Sequence, residues 1–224
     1  MLRQRPAFTT GNVPDDVWRD WMRRPRITYS DADFVQERVR TPVTYAKFCS
    51  DRAGVYYGNR VAKDIELIGT EPSYFDIKDY KLTAGRPFSA QEVKAAARVV
   101  VIGQVLSDKL LEGVDPIGKE VRIGGIPYRI IGLVEKQGTL FGLSLDKFAI
   151  IPFTAPGRRM ICPINVLDHL MIQASGPGTM VTAMGEVEAL MRTRRHLKPG
   201  EDNHFYLQTS ESALEGWQKI SKIL

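Results

Sequence analysis

The chain has 224 residues with a net charge of +5, and 43% of them are hydrophobic and 25% charged, which is typical of a globular protein. A chain of this length buries about 70% of its unfolded surface, so a packed core is expected without covalent or metal staples. No stretch approaches the roughly 20 apolar residues of a membrane helix, and the first residues lack the apolar segment of a secretory signal, which by itself favours the cytoplasm.

The N-terminal part predicts a short helix over 14–22, with Val17, Trp18, Trp21 and Met22 on one side. Tryptophans beside arginines suit the headgroup level of a membrane. We therefore take four residues as candidates for a membrane-proximal surface: Trp18, Trp21, Arg23 and Arg24. The simpler alternative is a short helix that folds onto the domain.

The next elements alternate between strands and helices. A strand over 26–29 precedes a helix over about 30–40, for which Ser30 and Asp33 have the spacing of a capping box. Two extended segments follow, over 44–57 and 64–68, with Gly58-Asn59 as the turn between them.

The central region, about 69–155, predicts mostly strands. Val99–Ile102 is a short apolar run typical of a buried strand, and a helix carrying Leu106 and Leu110 follows it. Both faces of the segment 128–134 are apolar, which indicates a central strand. The loop 137–146 places apolar side chains between glycines, and we take three of them as candidate partner contacts: Leu140, Phe141 and Leu143. Such loops more often pack onto their own sheet.

The C-terminal part predicts strand, helix, strand and helix. The first helix, about 179–195, presents Met180, Met184, Val187 and Met191 along one stripe, which indicates a core face. A strand at 205–207 follows, and Ser212 with Glu215 has the spacing of a cap for a last helix.

The sequence contains few residue patterns that are typical of catalytic, cofactor or metal sites. Cys49 and Cys162 have no metal-binding spacing, and we interpret them as two buried thiols, with a disulfide in an oxidising compartment as the alternative. There is no phosphate-binding loop, no nucleophile elbow and no close histidine cluster. We therefore expect no catalytic, cofactor or metal site and no enzyme activity.

Basic residues form two clusters, one over 19–26 and one over 192–198, and neither is accompanied by an aromatic-interleaved recognition motif. A nucleic-acid interface normally combines such charges with a recognition motif. We interpret both clusters as solvated surface and expect no nucleic-acid partner.

Several short motifs, in this order and spacing, resemble the extracytoplasmic core domain of ABC-transporter permeases of the MacB-like and FtsX-like class. They are Ile68-Gly69-Thr70, Tyr74-Phe75, Gly85-Arg86-Pro87-Phe88, Val99-Val100-Val101-Ile102-Gly103, Asp115-Pro116-Ile117-Gly118, Tyr128 to Val134, Ile150-Ile151-Pro152 and the basic run before His196. Each motif alone is a turn or strand signature, and their combination carries the resemblance.

The resemblance implies an α+β fold with two lobes in a chain cut from a longer permease. A discontinuous βαβ-type porter-like lobe, 24–66 plus 160–215, would carry an inserted, mostly-β sabre-like lobe, 67–158, with one helix. Residues 1–23 would be a juxtamembrane segment, and 216–224 would begin the connection to the second membrane helix.

The resemblance also implies a place and a role. The domain would lie on the periplasmic face of the inner membrane and transmit ATP-driven motion of membrane helices, for export of substrate or release of cargo. Its partners would be a second permease copy, a cytosolic ATPase and a periplasmic adaptor or cargo protein, and the isolated domain would be monomeric or weakly associating. The alternative function is a basic binding module in the cytoplasm, for nucleic acid or an acidic partner.

Overall fold

The computed structural model describes residues 1–4, 14–140 and 143–209, apart from the side chains of Leu140 and Leu143. The chain divides into two compact units. Unit 1 is discontinuous and comprises Met1–Tyr45 and Asn165–Leu224, whereas unit 2 is Ala46–Ile164. Within the described residues, no helix combines the length and the apolar character needed to cross a membrane.

The elements alternate along the chain. The helices are α1 (Asp15–Arg23), α2 (Tyr29–Arg38), α3 (Ser73–Ile77), α4 (Ala90–Lys94), α5 (Gln104–Leu111) and α6 (Pro177–Arg194), with a 3₁₀ turn at Pro156–Met160. The strands are β1 (Leu2–Arg3), β2 (Ile27–Thr28), β3 (Val43–Tyr57), β4 (Arg60–Thr70), β5 (Leu82–Gly85), β6 (Val99–Ile102), β7 (Glu120–Ile123), β8 (Ile126–Val134), β9 (Thr139–Leu140), β10 (Leu143–Ser144), β11 (Phe148–Pro152), β12 (Val166–Leu167), β13 (His169–Ala174) and β14 (Tyr206–Leu207).

Unit 2 contains a closed ring of paired strands. β3 forms a hairpin with β4, β4 lies parallel to β11, β11 lies antiparallel to β6, and β6 lies parallel to β8. β7 closes the ring, because it pairs with β8 on one side and with the outer part of β3 on the other. Closure satisfies strand edges that an open sheet leaves unpaired. β5 adds to β8 outside the ring.

Apolar strands and aromatic side chains build the core of unit 2. All four residues of β6 are buried, as are the last five of β8 and the whole of β11. The central-strand interpretation of 128–134 is correct, since β8 pairs with β5, β6 and β7. Tyr80 stacks on Phe148 with ring centroids 5.5 Å apart, and Phe75 meets Phe88 edge-on at 5.3 Å.

Two motifs that carry the family resemblance in unit 2 are turns whose chemistry the structure explains. In Gly85-Arg86-Pro87-Phe88, Gly85 has a φ of +73° and lies so close to β8 that an added Cβ would be 2.1 Å from the carbonyl oxygen of Ile131. In Asp115-Pro116-Ile117-Gly118, the carboxylate of Asp115 accepts a hydrogen bond of 2.9 Å from the amide of Ile117, which forms an Asx turn.

Unit 1 contains short paired strands and the helices α1, α2 and α6. β1 lies between β13 and β14 and is antiparallel to both. β2 and β12 form a separate antiparallel pair. Helices α2 and α6 pack together, and the predicted core stripe of α6 is buried at Val187 and Met191, with Met180 and Met184 half-buried.

Several expectations need correction. Residues 46–66 belong to unit 2, because the β3–β4 hairpin pairs with β7 and β11. Residues 160–164 also belong to unit 2, and this unit contains three short helices instead of one. The cap of α2 is Thr28 with Asp31 rather than Ser30 with Asp33, because the helix begins earlier than expected.

The interpretation of the two cysteines as free buried thiols is wrong. Cys49 and Cys162 form a disulfide across a sequence separation of 113 residues, with Cα atoms 6.0 Å apart. Both residues are buried. The predicted last helix, capped at Ser212, and the connection 216–224 lie outside the described residues.

Candidate functional site

The two strands β1 and β14, which we call the terminal strand pair, lie side by side in unit 1. Leu2 is opposite Leu207 and Arg3 is opposite Tyr206. The backbone pairing extends one residue further, because the amide of Gln208 donates a 2.9 Å hydrogen bond to the carbonyl of Met1. Leu2 is fully buried and also pairs with Leu170 of β13. Segments that are 205 positions apart in the sequence therefore share one sheet.

Three arginines, which we call the arginine clamp, fasten the terminal strand pair to the rest of unit 1: Arg24, Arg192 and Arg195. Arg195 is the most deeply placed, with only 8% of its side chain exposed. Its guanidinium donates hydrogen bonds to the carbonyl of His204 at 2.9 Å and to the carbonyls of Pro25 and Arg26 at 3.2 Å. Arg195 therefore connects the chain segment just before β14 with the segment just before β2.

Asp31 supplies the countercharge of this guanidinium. A carboxylate oxygen of Asp31 lies 3.6 Å from Arg195, and the carboxylate also pairs with Arg194 at 3.4 Å. Burial lowers the pKa of Arg195 from its ordinary value, and the charge of Asp31 opposes this shift. A buried cation that is hydrogen-bonded on several sides is costly to leave unpaired, so this contact fixes the geometry of α2 relative to the end of α6.

Arg192 holds the loop between α6 and β14. It donates to the carbonyls of Lys198 at 2.7 Å and Glu201 at 2.9 Å, and to the side-chain oxygen of Asn203 at 2.7 Å. Asn203 in turn donates to Glu188 on α6 at 2.8 Å. The last turn of α6 and the loop that leads into β14 are thus cross-linked by charge-assisted hydrogen bonds.

Helix α1 is attached to the terminal strand pair through its C-terminal end. The ring of Trp21 meets Tyr206 edge-on with centroids 6.2 Å apart, and the guanidinium of Arg24 lies 5.2 Å from the centroid of the same tyrosine ring. Arg24 also donates to the carbonyl of Asn203 at 3.2 Å and pairs with Asp20 at 2.8 Å.

The four residues predicted to be membrane-proximal therefore separate into two groups. Trp21 and Arg24 contact the domain itself, as the simpler alternative expects, whereas Trp18 is 45% exposed and Arg23 is also exposed. A membrane contact through Trp18 and Arg23 stays a prediction. Of the three candidate partner contacts, Phe141 and the side chains of Leu140 and Leu143 lie outside the described residues.

The loop that carries these candidate contacts has a fixed base. Asp146, which is 1% exposed, accepts hydrogen bonds from the amides of Gln137 at 2.7 Å and Gly138 at 3.0 Å. The short strands β9 and β10 of this loop pair with each other. The role of the loop in partner contact also stays a prediction.

A cleft of about 660 Å³ lies in unit 1 beside the start of α2. It is lined by Thr28, Tyr29, Ser30, Asp33, Phe34, Glu37, Arg38, Asn165 and Arg194. Phe34 lies 4.2 Å from the guanidinium of Arg38 and 5.4 Å from that of Arg194, measured to the ring centroid. The cleft is polar, and the ring within it already contacts two cations.

The chemistry of the remaining candidates is structural. The disulfide removes Cys49 and Cys162 as metal ligands or nucleophiles in this state, since the thiolate is the reactive form. Three arginines of the basic clusters bind carbonyls and side chains of unit 1 through the arginine clamp. This arrangement stabilises a fold, and no nucleic-acid surface is needed to explain it.

The comparison with protein families decides the assignment. The profile of the MacB-like periplasmic core domain matches residues 3–190. This chain belongs to that family. The MacB-like periplasmic core domain lies on the periplasmic side of the inner membrane as a part of an ABC-transporter permease, so the alternative of a cytoplasmic binding module finds no support. No enzymatic activity is indicated for such a domain.

Sequence relatives agree with this family. The chain is 30% identical over 130 residues to a macrolide export ATP-binding/permease protein MacB of Syntrophobacter fumaroxidans, a match that covers 58% of this chain and 18% of the relative. It is 30% identical over 167 residues to MacB 2 of Aeromonas hydrophila, covering 74% of this chain and 24% of the relative. The chain thus spans at most about a quarter of the length of these MacB relatives.

Solved structures share the fold. The periplasmic region of MacB from Actinobacillus actinomycetemcomitans superposes with a TM-score of 0.70 at 18% identity, covering 93% of this chain and 89% of that one. The extracellular domain of the noncanonic ABC-type transporter YknZ from Gram-positive bacteria gives a TM-score of 0.67 at 20% identity, covering 82% and 90%. The α+β architecture of the MacB-like domain is therefore confirmed.

Sequence reasoning did not foresee the arginine clamp. The signal was present, because Arg192 and Arg195 lie one turn apart at the end of a predicted helix that is followed by a Pro-Gly turn. Cations at a helix C-terminus often bind the free carbonyl groups there. The partners of Arg195 at residues 25, 26 and 204 could not be read from the sequence, since those contacts depend on the tertiary fold.

Proposed function

We propose that this chain transmits ATP-driven motion of membrane helices to the periplasmic side of an ABC transporter, for export of a substrate or release of a cargo. The observation that carries the proposal is the terminal strand pair. Because β1 and β14 are adjacent and antiparallel, chain segments that precede β1 and follow β14 would leave the same end of one small sheet. Two membrane helices attached there would act on one structural element.

The arginine clamp supports this role. A displacement of β14 reaches Arg195 and Arg192 through the carbonyls of residues 198–204, and it reaches α1 through Tyr206. Cooperative hydrogen-bond networks with ionised donors resist local deformation better than isolated neutral bonds. Unit 1 would therefore move as a body when its two flanks move.

The two units suggest a division of roles. We propose that unit 1 corresponds to the porter-like lobe and unit 2 to the sabre-like lobe of the family. Unit 2, with its closed strand ring, would be the part that transmits the motion outward.

The proposed partners follow from the family. The MacB relatives are described as ATP-binding/permease proteins, so an ATPase on the cytosolic side is the proposed energy source. A second permease copy would complete the transporter, and a periplasmic adaptor or cargo protein would contact the domain. Macrolide export is the activity named for the relatives, and it is the first substrate class to test for this chain.

A linker insertion in the full-length permease tests the proposal. A flexible segment of about ten Gly and Ser residues placed between Gln208 and Thr209 behaves as a random coil and relaxes any force that passes along β14. We expect export to fall at least tenfold while the ATPase continues to hydrolyse ATP. The matched control places the same segment in the exposed β3–β4 turn, between Gly58 and Asn59, where export should persist.

The opposite pattern would overturn the proposal. If export is undiminished by the insertion after Gln208, the domain serves as a passive scaffold and force transmission through β14 is not required. Membrane insertion and expression of each variant are checked by immunoblotting of membrane fractions.

A further inference from the structure

The disulfide between Cys49 and Cys162 lies at the base of unit 2. This unit begins at Ala46 and ends at Ile164, so each cysteine is within a few residues of a point where the chain passes between the two units. The bond encloses almost the whole unit, since the cysteines are 113 positions apart. It therefore joins the first and last segments of unit 2 to each other.

The two segments that the disulfide joins differ in their backbone hydrogen bonding. Cys49 is in the middle of the long strand β3, where it pairs with Gly69 of β4. Cys162 follows the 3₁₀ turn, and its amide donates to the carbonyl of Arg158 in that same turn. The segment 156–162 also reaches the strand ring, because the amide of Gly157 donates a hydrogen bond of 2.7 Å to the hydroxyl of Tyr128.

Close packing holds the last segment against the strands as well. At Gly69, an added Cβ would lie 3.3 Å from the side chains of both Arg158 and Ile161, so the segment runs directly over β4. Cys49 and Cys162 are both buried. The disulfide adds a covalent connection between β3 and the end of unit 2.

We propose that this disulfide closes the base of unit 2 and makes its two chain crossings move together. The mechanical part rests on the proposed function, whereas the covalent part does not. Each thiol loses one proton and one electron as the sulfur–sulfur bond forms. The two electrons and two protons reduce the disulfide of a periplasmic thiol–disulfide oxidoreductase to a dithiol. The periplasm is a compartment in which such bonds form and persist.

A thiol count tests the bond itself. The 224-residue chain is produced in the periplasm, unfolded in denaturant without reductant and treated with a maleimide reagent. Since the chain has two cysteines, we expect no label before reduction and two labels after it. Two labels without reduction would overturn the proposal.

A mutant cycle separates a covalent bond from two packed thiols. Cys49→Ala, Cys162→Ala and the double variant should lower Tm by a similar amount, about 5–10 °C, because the first substitution already breaks a bond that closes a long loop. Thermal unfolding followed by circular dichroism measures the three shifts. If the two single shifts add up in the double variant, the cysteines act as independent core residues and the proposal fails.

Hydrogen exchange locates the effect. In the double variant we expect faster amide exchange over 46–50 and 156–163, with unchanged exchange at Val99–Ile102 in β6, whose residues are buried within the strand ring. Unchanged exchange over 156–163 would contradict a role at the base of the unit.

Spin labels in the full-length permease test the mechanical part. Single labels at the exposed positions Val181 in unit 1 and Lys109 in unit 2 report the distance between two permease copies in different nucleotide states. In the double variant, the nucleotide-dependent shift at Val181 should persist and the shift at Lys109 should broaden or vanish. An unchanged distance shift at Lys109 in the double variant would contradict joint motion of the two chain crossings.

A native permease without a distance shift at Val181 would contradict both the proposed function and this joint motion. The thiol count would still decide whether the disulfide forms.

Discussion

Individual arginines in this domain have roles that their sequence pattern does not reveal. The run over 192–198 is indistinguishable by composition from a solvated basic patch. In the structure, Arg192 and Arg195 bind the carbonyls of the neighbouring loop and of the segment 25–26. Arg23, by contrast, is exposed. Burial and partners, rather than charge density, separate structural arginines from surface arginines.

Replacement of Arg195 by methionine should destabilise the domain strongly. The substitution keeps much of the side-chain volume and leaves Asp31 and three backbone carbonyls without this donor. Breaking a buried ion pair on one side typically costs about 3–5 kcal/mol. Arg23→Met at an exposed site serves as the control and should change stability by less than about 0.5 kcal/mol. Urea unfolding measures both, and equal effects would exclude a clamp at Arg195.

Glu92 should titrate far below an ordinary glutamate. Its carboxylate binds Arg86 at 2.8 Å and accepts a 2.8 Å hydrogen bond from the amide of Ser89, and together these lower its pKa from 4.5 to about 2. The folded pKa lies below the unfolded one. This carboxylate therefore stabilises the fold above about pH 4.5, and the contribution is lost as the pH falls through about 2.

An NMR titration of the Glu92 side chain checks this prediction. The midpoint should lie near pH 2 in the native chain and should rise toward 4.5 in Arg86→Met, because the guanidinium is the largest cause of the shift. A native midpoint near 4.5 would show that the Arg86–Glu92 contact is not maintained in solution.

Some of the motifs behind the family resemblance are turns and close approaches at the ends of elements. Gly85 at the end of β5 is the clearest case, and Gly113 provides a matched comparison. The two have nearly the same φ, +73° and +72°, but a Cβ at Gly113 would have no neighbour within 4 Å, whereas one at Gly85 would collide with the backbone of β8.

Alanine substitutions at these two glycines should separate backbone strain from steric conflict. Gly113→Ala should cost about 1 kcal/mol, which reflects the left-handed backbone alone. Gly85→Ala should cost at least about 2 kcal/mol more, because β5 must move away from β8. Denaturant unfolding of both variants gives the difference, and similar costs would mean that β5 shifts freely.

Element prediction from the sequence was successful where the pattern is local. Three sequence patterns each predicted an element and its buried residues correctly: the apolar run of β6, the two apolar faces of β8 and the core stripe of α6. The closure of the strand ring by β7 and the disulfide depended on contacts between distant positions, such as Val55 with Ile123. Local periodicity contains no information on such contacts, and this explains why the unit boundary at Tyr45 and Ala46 was not predicted.

At the scale of the whole molecule, the domain combines a discontinuous unit with an inserted one. The inserted unit has its own core and a covalent closure, and the discontinuous unit carries the terminal strand pair. The proposed transmission of motion would use this division, with motion received by the discontinuous unit and passed on by the inserted one.

The isolated chain should be monomeric. The described surface exposes large apolar side chains only singly or in pairs, such as Ile164 alone or Tyr56 with Val61 across the β3–β4 hairpin. The proposed dimer would be held mainly by membrane helices. Sedimentation velocity at micromolar concentration should give a mass near 25.2 kDa. A stable dimer at that concentration would mean that the domain itself drives association.

The most direct test of force transmission measures distances in the full-length permease. A spin label at Val181 of each copy, read by pulsed electron paramagnetic resonance, should give different distance distributions in the nucleotide-free and ATP-bound states. We expect a displaced maximum on ATP binding. Superimposable distributions, with ATP binding verified in the same sample, would contradict it.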